Sequence, residues 1–351
     1  MSRITIIGAG NAGVAAAADL TLAGHEVTLY EMPQFRENID PILQSGGIML
    51  SGVGRTGFAR IAKVTTDIAE AVRGAPIIMA ALVGLAYETV AELCAPYLED
   101  GQTIVLSAGS LASLEFNRVL REKRPDLRVT LAETLNAPYG SRRGAPGKAE
   151  VTIFTHTPSG IALAALPAKH TELVMKQMGE FYPGLYVAGE NVVEVGLANI
   201  ATLLPGPCLL MTGRIELPRS SDLFYSKFTP SIWKVVEATI RERNAILKVL
   251  GLRELYPFEK VKELFTEPGV QKLAGPSHMY HRFITESCPM GLVAWVSLGD
   301  LANVPTLVCE AIVTLLSEVS GVDYFKEGRN LERLGVSGLS IDQLKKLLNE
   351  G

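Results

Sequence analysis

Apolar and polar positions in the first 190 residues alternate between strand-like and helix-like stretches. Arg3–Ile7 and Glu26–Glu31 read as strands, as do Arg128–Ala132 and Glu150–Thr155 further on. Pro76–Leu82 and Thr103–Leu106 are short apolar runs of the buried-strand type. Ala12–Leu22, rich in alanine and leucine, fits a helix, and Leu85–Leu98 and Ser113–Glu122 fit helices between strands. Such alternation predicts a mostly parallel sheet covered by helices. Past residue 190 strand-like runs become scarce. Ser231–Leu250 carries apolar residues at helical spacing and stops at Gly251, a C-cap residue. Thr306–Ser320 reads as a helix entered after Pro305, and Ile341–Asn349 as a last one, opened by Ser340 with Gln343 three residues on. The pattern predicts an α/β chain with domains at 1–190 and 191–351, the second all-helical.

The chain has 351 residues, which suits two domains, and its 48% hydrophobic and 20% charged content allows sizeable cores. The formal net charge of -4 holds no basic excess, which argues against nucleic acid or an anionic membrane as partner. No two of Cys94, Cys208, Cys288 and Cys309 lie close enough for a metal or redox pair, so no metal site is read. Four reduced, mostly buried thiols suit a reducing compartment, and the cytoplasm is expected. The run Ile4–Ile7 begins almost at Met1 and ends in a glycine loop, unlike a secretory leader. The apolar stretches Pro76–Ala86 and Gly196–Met211 fall short of the roughly 20 residues that span a bilayer.

Gly8-Ala9-Gly10-Asn11-Ala12-Gly13 is a G-x-G-x-x-G between the first strand and the first helix. Gly8 allows the tight turn, Gly10 lets a pyrophosphate approach the backbone, and Gly13 lets helix and strand pack closely. The helix N-terminus offers N–H groups and a positive dipole end to the phosphates. Glu31, eighteen residues past Gly13, ends the second strand where a ribose-binding carboxylate belongs. This context predicts an N-terminal Rossmann domain that binds a nicotinamide dinucleotide. Glu31 should accept ribose hydroxyls and repel a 2′-phosphate, which favours NAD. Arg36 is a candidate partner for a 2′-phosphate, keeping NADP possible, or else a solvated loop charge. Val83 and Ser107, in Leu82-Val-Gly84 and Ser107-Ala-Gly109, end later strands and are candidate cofactor contacts or ordinary strand-to-helix turns.

Segments further along form an ordered set: Asn191-Val-Val-Glu-Val-Gly-Leu-Ala-Asn199, Leu204-Pro-Gly-Pro207, Thr229-Pro-Ser231, Ala274-Gly-Pro276, His281-Arg-Phe-Ile-Thr-Glu286, Gly291-Leu-Val293, Asn303-Val-Pro-Thr306 and Gly328-Arg-Asn-Leu-Glu-Arg-Leu-Gly335. With the glycine loop, this set resembles the octopine/nopaline (opine) dehydrogenase family over nearly the whole chain, most strongly from 274 to 339. The resemblance implies a helical substrate domain after the Rossmann domain, with nicotinamide and substrate meeting in a cleft. It implies reductive condensation of an amino acid with a 2-oxo acid, the imine being reduced by NAD(P)H. It also implies a His just before Pro205 and an Asp directly after Glu286; this chain has Leu204 and Ser287 there.

An imine accepts hydride better when protonated, and substrate carboxylates suit an arginine fork. His281, with Glu286 as its orienting carboxylate, is therefore the candidate proton carrier, and Arg282 the candidate carboxylate ligand. Tyr139, Asn199 and Tyr225 are candidate substrate contacts, with Glu133, Thr134, Arg142 and Lys227 as weaker ones. The competing functions are a ketopantoate-like reductase of 2-oxo or 2-hydroxy acids and a dinucleotide-binding protein without catalysis. The strongly apolar helical half suggests a homodimer.

Overall fold

The computed structural model describes residues 1–157, 159–199, 206, 228–267, 278 and 280–351. Leu204, Cys208, Tyr225, Lys227 and Ala274-Gly-Pro276 lie outside the described residues. Two compact units emerge: Met1–Gly196 with Leu348–Gly351, and Leu197–Leu347.

The first unit contains strands β1 (Arg3–Ile7), β2 (Glu26–Tyr30), β3 (Ile48–Gly52), β4 (Gly57–Ala59), β5 (Lys63–Thr65), β6 (Ile77–Ala80), β7 (Thr103–Ser107), β8 (Thr130–Thr134), β9 (Tyr139–Arg143), β10 (Glu150–His156), β11 (Ile161–Leu166) and β12 (Tyr186–Ala188). Its helices are α1 (Asn11–Leu22), α2 (Asp40–Ser45), α3 (Ile68–Val72), α4 (Tyr87–Cys94), α5 (Ala112–Lys123), α6 (Thr171–Gly179) and α7 (Val192–Leu197). Eight strands form one sheet in the order β12-β11-β8-β7-β6-β1-β2-β5, parallel except where β11 runs against β8. The run β5-β2-β1-β6-β7-β8 has the doubly wound order 3-2-1-4-5-6. β6, β7, β8 and β11 are buried at every position, as expected for strands covered on both faces.

A second sheet, β4-β3-β10-β9, was not foreseen. It packs on α1, which also touches β1 and β2 of the large sheet. This double packing explains the alanine-rich α1: every residue from Gly13 to Leu20 is buried, and small side chains let both sheets approach. Tyr139–Arg143, which the sequence pattern did not mark as a strand, is the edge strand nearest that helix. The expected helix Leu85–Leu98 is shorter, with a 3₁₀ turn at Gly84–Ala86 followed by α4 ending at Cys94. Pro96 accounts for the early end, because it has no N–H to continue the hydrogen bonds of the helix.

The second unit contains α8 (Pro230–Leu250), α9 (Phe258–Thr266), α10 (Arg282–Thr285), α11 (Val293–Leu301), α12 (Leu307–Ser320), α13 (Tyr324–Glu327) and most of α14 (Ile341–Glu350), with a π-helix at Cys288–Leu292. No strand occurs among its described residues. α8 begins at the Thr229 cap and ends at Gly251 with φ +75°, the left-handed C-cap expected from sequence. α14 opens with the expected capping box: the Ser340 N–H donates to Gln343 Oε1 at 2.8 Å and the Gln343 N–H to Ser340 Oγ at 3.2 Å. α8, α11 and α12 pack together around Trp295 and the buried Arg243, whose guanidinium donates to Glu254 at 2.8 Å.

Candidate functional site

β1 runs into the glycine loop. Gly8 has φ +101°, and a Cβ there would lie 2.7 Å from the Ala81 carbonyl oxygen. A Cβ on Gly13 would stand 1.8 Å from the Gly8 oxygen, so α1 packs directly onto the turn. Gly10 differs: nothing lies within 4 Å of its added Cβ, and Gly10 and Asn11 are exposed. No side chain caps the first turn of α1. Open space at Gly10, over a helix start that no side chain caps, fits the pyrophosphate of a dinucleotide.

Glu31 lies just past β2 and is 5% exposed. Its Oε1 accepts the Met32 N–H at 2.9 Å, and its Oε2 accepts the Ala9 N–H at 3.0 Å and the Asn38 amide at 3.1 Å. The carboxylate therefore stands against the glycine loop. Arg36 does not join it: its Nε lies 3.0 Å from Asp40, with a 61% exposed side chain, because the two are one helical turn apart on the surface. Arg143 takes the inner position. Its Nη1 donates to the Ala9 oxygen at 2.8 Å, and its Nη2 to the Asn38 oxygen at 2.7 Å. Sequence reasoning named the neighbour, Arg142, which is exposed. The missed signal is strand alternation, which sends adjacent side chains to opposite faces.

Val83 follows β6, is 44% exposed, and accepts the Ala86 N–H. Ser107 ends β7, buried, and its carbonyl accepts the Tyr87 hydroxyl at 2.9 Å. The turn beyond it holds three non-glycine residues at left-handed φ: Ala108, Ser110 and Leu111. Glu133 on β8 is fully buried and accepts the N–H groups of Leu111 and Ser113, so it caps α5 from outside the helix. Thr134 accepts the Ala108 N–H at 3.2 Å. Both candidates thus serve that turn.

Tyr139, expected as a substrate contact, is 6% exposed and donates to Asp19 Oδ2 at 2.6 Å. Arg55 Nη1 reaches both oxygens of Asp19 at 3.0 Å. Burial, helped by the charges beside it, pushes the Tyr139 phenol far above its ordinary range. This correction makes Tyr139 a tie between the second sheet and α1. It is not a surface poised to meet substrate.

In the second unit, His281 caps α10, its Nδ1 accepting the Phe283 N–H at 3.3 Å. A neutral ring then carries its proton on Nε2. Burial first, then His278 and Arg282, lower its pKa below the ordinary 6.5. Glu286, expected to orient His281, lies 2.8 Å from Arg282 Nη2 instead. Helical geometry explains the exchange: Glu286 is four residues from Arg282 and five from His281, and only the four-residue spacing shares a face. The Arg282 side chain is 60% exposed and that of Glu286 17%. Asn199 is 7% exposed, just past α7.

One residue without a role in the sequence reading borders this turn. Arg329 is fully buried and donates to the Met290 carbonyl at 3.1 Å, inside the π-helix that follows Glu286. Single-turn π segments frequently mark functional sites. Its only sequence signal was a charge in the Gly328–Gly335 stretch. Among the described residues no three His, Cys, Asp or Glu side chains group as metal ligands, and no helix is long and apolar enough to cross a membrane.

Comparison with known proteins adds a family context. The family model described as NAD/NADP octopine/nopaline dehydrogenase, alpha-helical domain, matches residues 188–320. An opine dehydrogenase from Arthrobacter sp. is 33% identical over 350 residues, covering 95% of each chain. An octopine dehydrogenase structure with NADH and pyruvate has a TM-score of 0.80 at 16% identity, covering 100% of this chain and 98% of that one. A yersinopine dehydrogenase structure with NADP⁺ bound has a TM-score of 0.75 at 13% identity, with the same coverage.

Proposed function

We propose a reaction from one premise: the chain belongs to the octopine/nopaline (opine) dehydrogenase family and is an NAD(P)-dependent oxidoreductase. It joins the amino group of an amino acid or amine to a 2-oxo acid with loss of water and reduces the resulting C=N bond to a secondary amine. The observation that carries this reading is the opine dehydrogenase matched across 95% of both chains.

The nicotinamide cofactor supplies hydride when bound. Residues 1–190 hold it: the loop from Gly8 to Gly13, including Ala9, Asn11 and Ala12, receives the pyrophosphate, and Glu31 the ribose hydroxyls. That arrangement favours NAD. Val83 and Ser107 border the cofactor further along. Residues 191–351 carry the substrate and the proton. Arg282 binds a substrate carboxylate, with Glu286 fixing its fork, and Asn199 and Tyr225 add contacts. The cationic form of His281 delivers a proton from Nε2 to the imine nitrogen, which leaves the ring neutral. The working form is a cytoplasmic homodimer. Buried free thiols at Cys94, Cys288 and Cys309 support a reducing compartment, and exposed Leu307, Leu315 and Val319 along α12 support an apolar contact between copies.

The test is oxidation of NADH and NADPH, followed by absorbance, against 2-oxo acids with and without amino acids or amines. Turnover that requires both partners supports the reading. Leu204 and Ser287, where the family pattern has His and Asp, favour a second reading in which a carbonyl is reduced directly. Turnover with a 2-oxo acid alone selects that reading. Cofactor binding without turnover on any pair selects a non-catalytic protein.

A further inference from the structure

The second sheet of the first unit brings a cation to the ribose end of the dinucleotide site. Arg143 is the last residue of β9, and its backbone N–H donates to Asn11 Oδ1 at 2.9 Å, while the Ser141 hydroxyl donates to the Asn11 carbonyl at 3.0 Å. The strand end is thereby fixed to the start of α1. From there the guanidinium bridges the glycine loop and the segment after Glu31. Its Nη1 donates to the Ala9 oxygen at 2.8 Å and to Asn38 Oδ1 at 3.1 Å, and its Nη2 to the Asn38 oxygen at 2.7 Å. Asn38 in turn donates to Glu31 Oε2 at 3.1 Å. One amide therefore separates the arginine from the carboxylate at the ribose position.

A guanidinium carries five N–H donors in a fixed plane. These contacts use two on Nη1 and one on Nη2. The N–H on Nε and the second on Nη2 remain, with no partner among the described residues. They share one edge of the plane, which is the fork that takes two oxygens of a phosphate. Arg143 is half-buried, so its charge is less screened than that of a free surface arginine. Arg36, the other nearby cation, is paired with Asp40. The pyrophosphate has its own donors at the start of α1. The Arg143 guanidinium stands instead against Asn38, which holds Glu31, on the side where a 2′-substituent of the ribose belongs.

We propose that Arg143 is the ligand of a 2′-phosphate on the adenosine ribose, so that the site takes NADPH as well as NADH. The proposal rests on the cofactor reading above and is independent of the substrate chemistry. Glu31 and Arg143 play opposite parts. The carboxylate accepts a free 2′-hydroxyl and repels a phosphate, and the guanidinium offsets that repulsion.

The test uses 5′-AMP and adenosine 2′,5′-bisphosphate, which differ only in the 2′-phosphate, titrated calorimetrically into the full chain. Wild type should bind the bisphosphate at least as tightly as 5′-AMP. In Arg143→Gln the bisphosphate should weaken about tenfold or more while 5′-AMP changes by less than about twofold. Arg143→Lys, which keeps the charge and loses the fork, should fall between, and it carries the test if the Gln variant fails to fold. The KM ratio for NADPH over NADH should move with the bisphosphate. Equal weakening of both nucleotides overturns the proposal, because Arg143 would then serve the 5′-phosphate or the loop's fold. An unchanged bisphosphate affinity overturns it as well. Failure of every oxo acid and amine to turn over, with the nucleotide result intact, would remove the proposed reaction and leave this site standing.

Discussion

Replacing Tyr139 by Phe removes one hydroxyl from the interior of the first unit and separates a structural role from a substrate role. That hydroxyl donates to Asp19 at 2.6 Å, and Asp19 also receives Arg55 at 3.0 Å. A hydrogen bond to a charged group contributes about 1.5–3 kcal/mol. In the variant Asp19 keeps Arg55, so its charge is not left alone, and the larger cost of an unpaired buried ion does not arise. The ring keeps its neighbours Tyr182 and His156, whose centroids lie 6.1 and 5.4 Å away. The expected loss is thus at the low end, about 1–2 kcal/mol. For a unit of this size (Met1–Gly196) that lowers Tm by about 2–8 °C. Scanning calorimetry reads the shift, and kcat and KM measured on the folded variant should match wild type. An unchanged Tm with kcat/KM for the substrate down about tenfold or more would refute the reasoning and return Tyr139 to the substrate.

Three other outcomes follow from the geometry. Gly13→Ala places a Cβ 1.8 Å from the Gly8 oxygen, so α1 must move off the turn; NADH binding by fluorescence titration should be lost, and retained affinity would refute the close packing. If His281 carries the proton, its lowered pKa means that reductive kcat/KM rises as pH falls through a value below 6.5, and the reverse reaction gains as pH climbs through it. His281→Asn should remove that limb and cost about a hundredfold in rate, and an unchanged profile ends its candidacy. Gly328→Ala would set a Cβ 2.5 Å from the Tyr324 oxygen and 2.6 Å from the Pro289 oxygen, displacing the π-helix that follows Glu286. A stability loss of about 1–3 kcal/mol is expected, with kcat falling more than KM changes; wild-type stability and kinetics would show that the loop tolerates the methyl.

The parts of this fold that are encoded locally were legible. The strand, glycine turn and helix from Arg3 to Leu22 announce themselves through residues a few positions apart, as do the caps at Gly251 and Ser340. The second sheet was not legible, because its pairs are distant: Met49 lies opposite Glu150, and Leu50 opposite Val151. β4 and β5 have three residues each, too short to show a period. The proposed cofactor site divides the same way. Gly8, Gly10, Gly13 and Glu31 follow from spacing, whereas Arg143 arrives from a strand more than a hundred residues on. The sequence reading named its neighbour Arg142, as a weaker substrate contact, and on a strand one residue is the other face.

The exchange of partners around His281 bears on how the chain handles a proton without the His and Asp of the family pattern. Five residues separate His281 from Glu286, about 140° around a helix, so the carboxylate could not serve both the ring and Arg282 from one position. It serves Arg282, and the ring faces only influences that oppose its charge: burial, His278 and Arg282. A histidine in that setting rests neutral near pH 7, and its cation, once formed, is a stronger acid than a free imidazolium. Such a group suits a substrate whose nitrogen is protonated only as the C–N bond is reduced, and it loses efficiency with an imine already protonated in solution. Comparing amines of high and low basicity at one pH decides the matter. A rate that rises as amine basicity falls places the proton on His281, and a rate that follows the amount of protonated imine in solution makes the histidine a bystander.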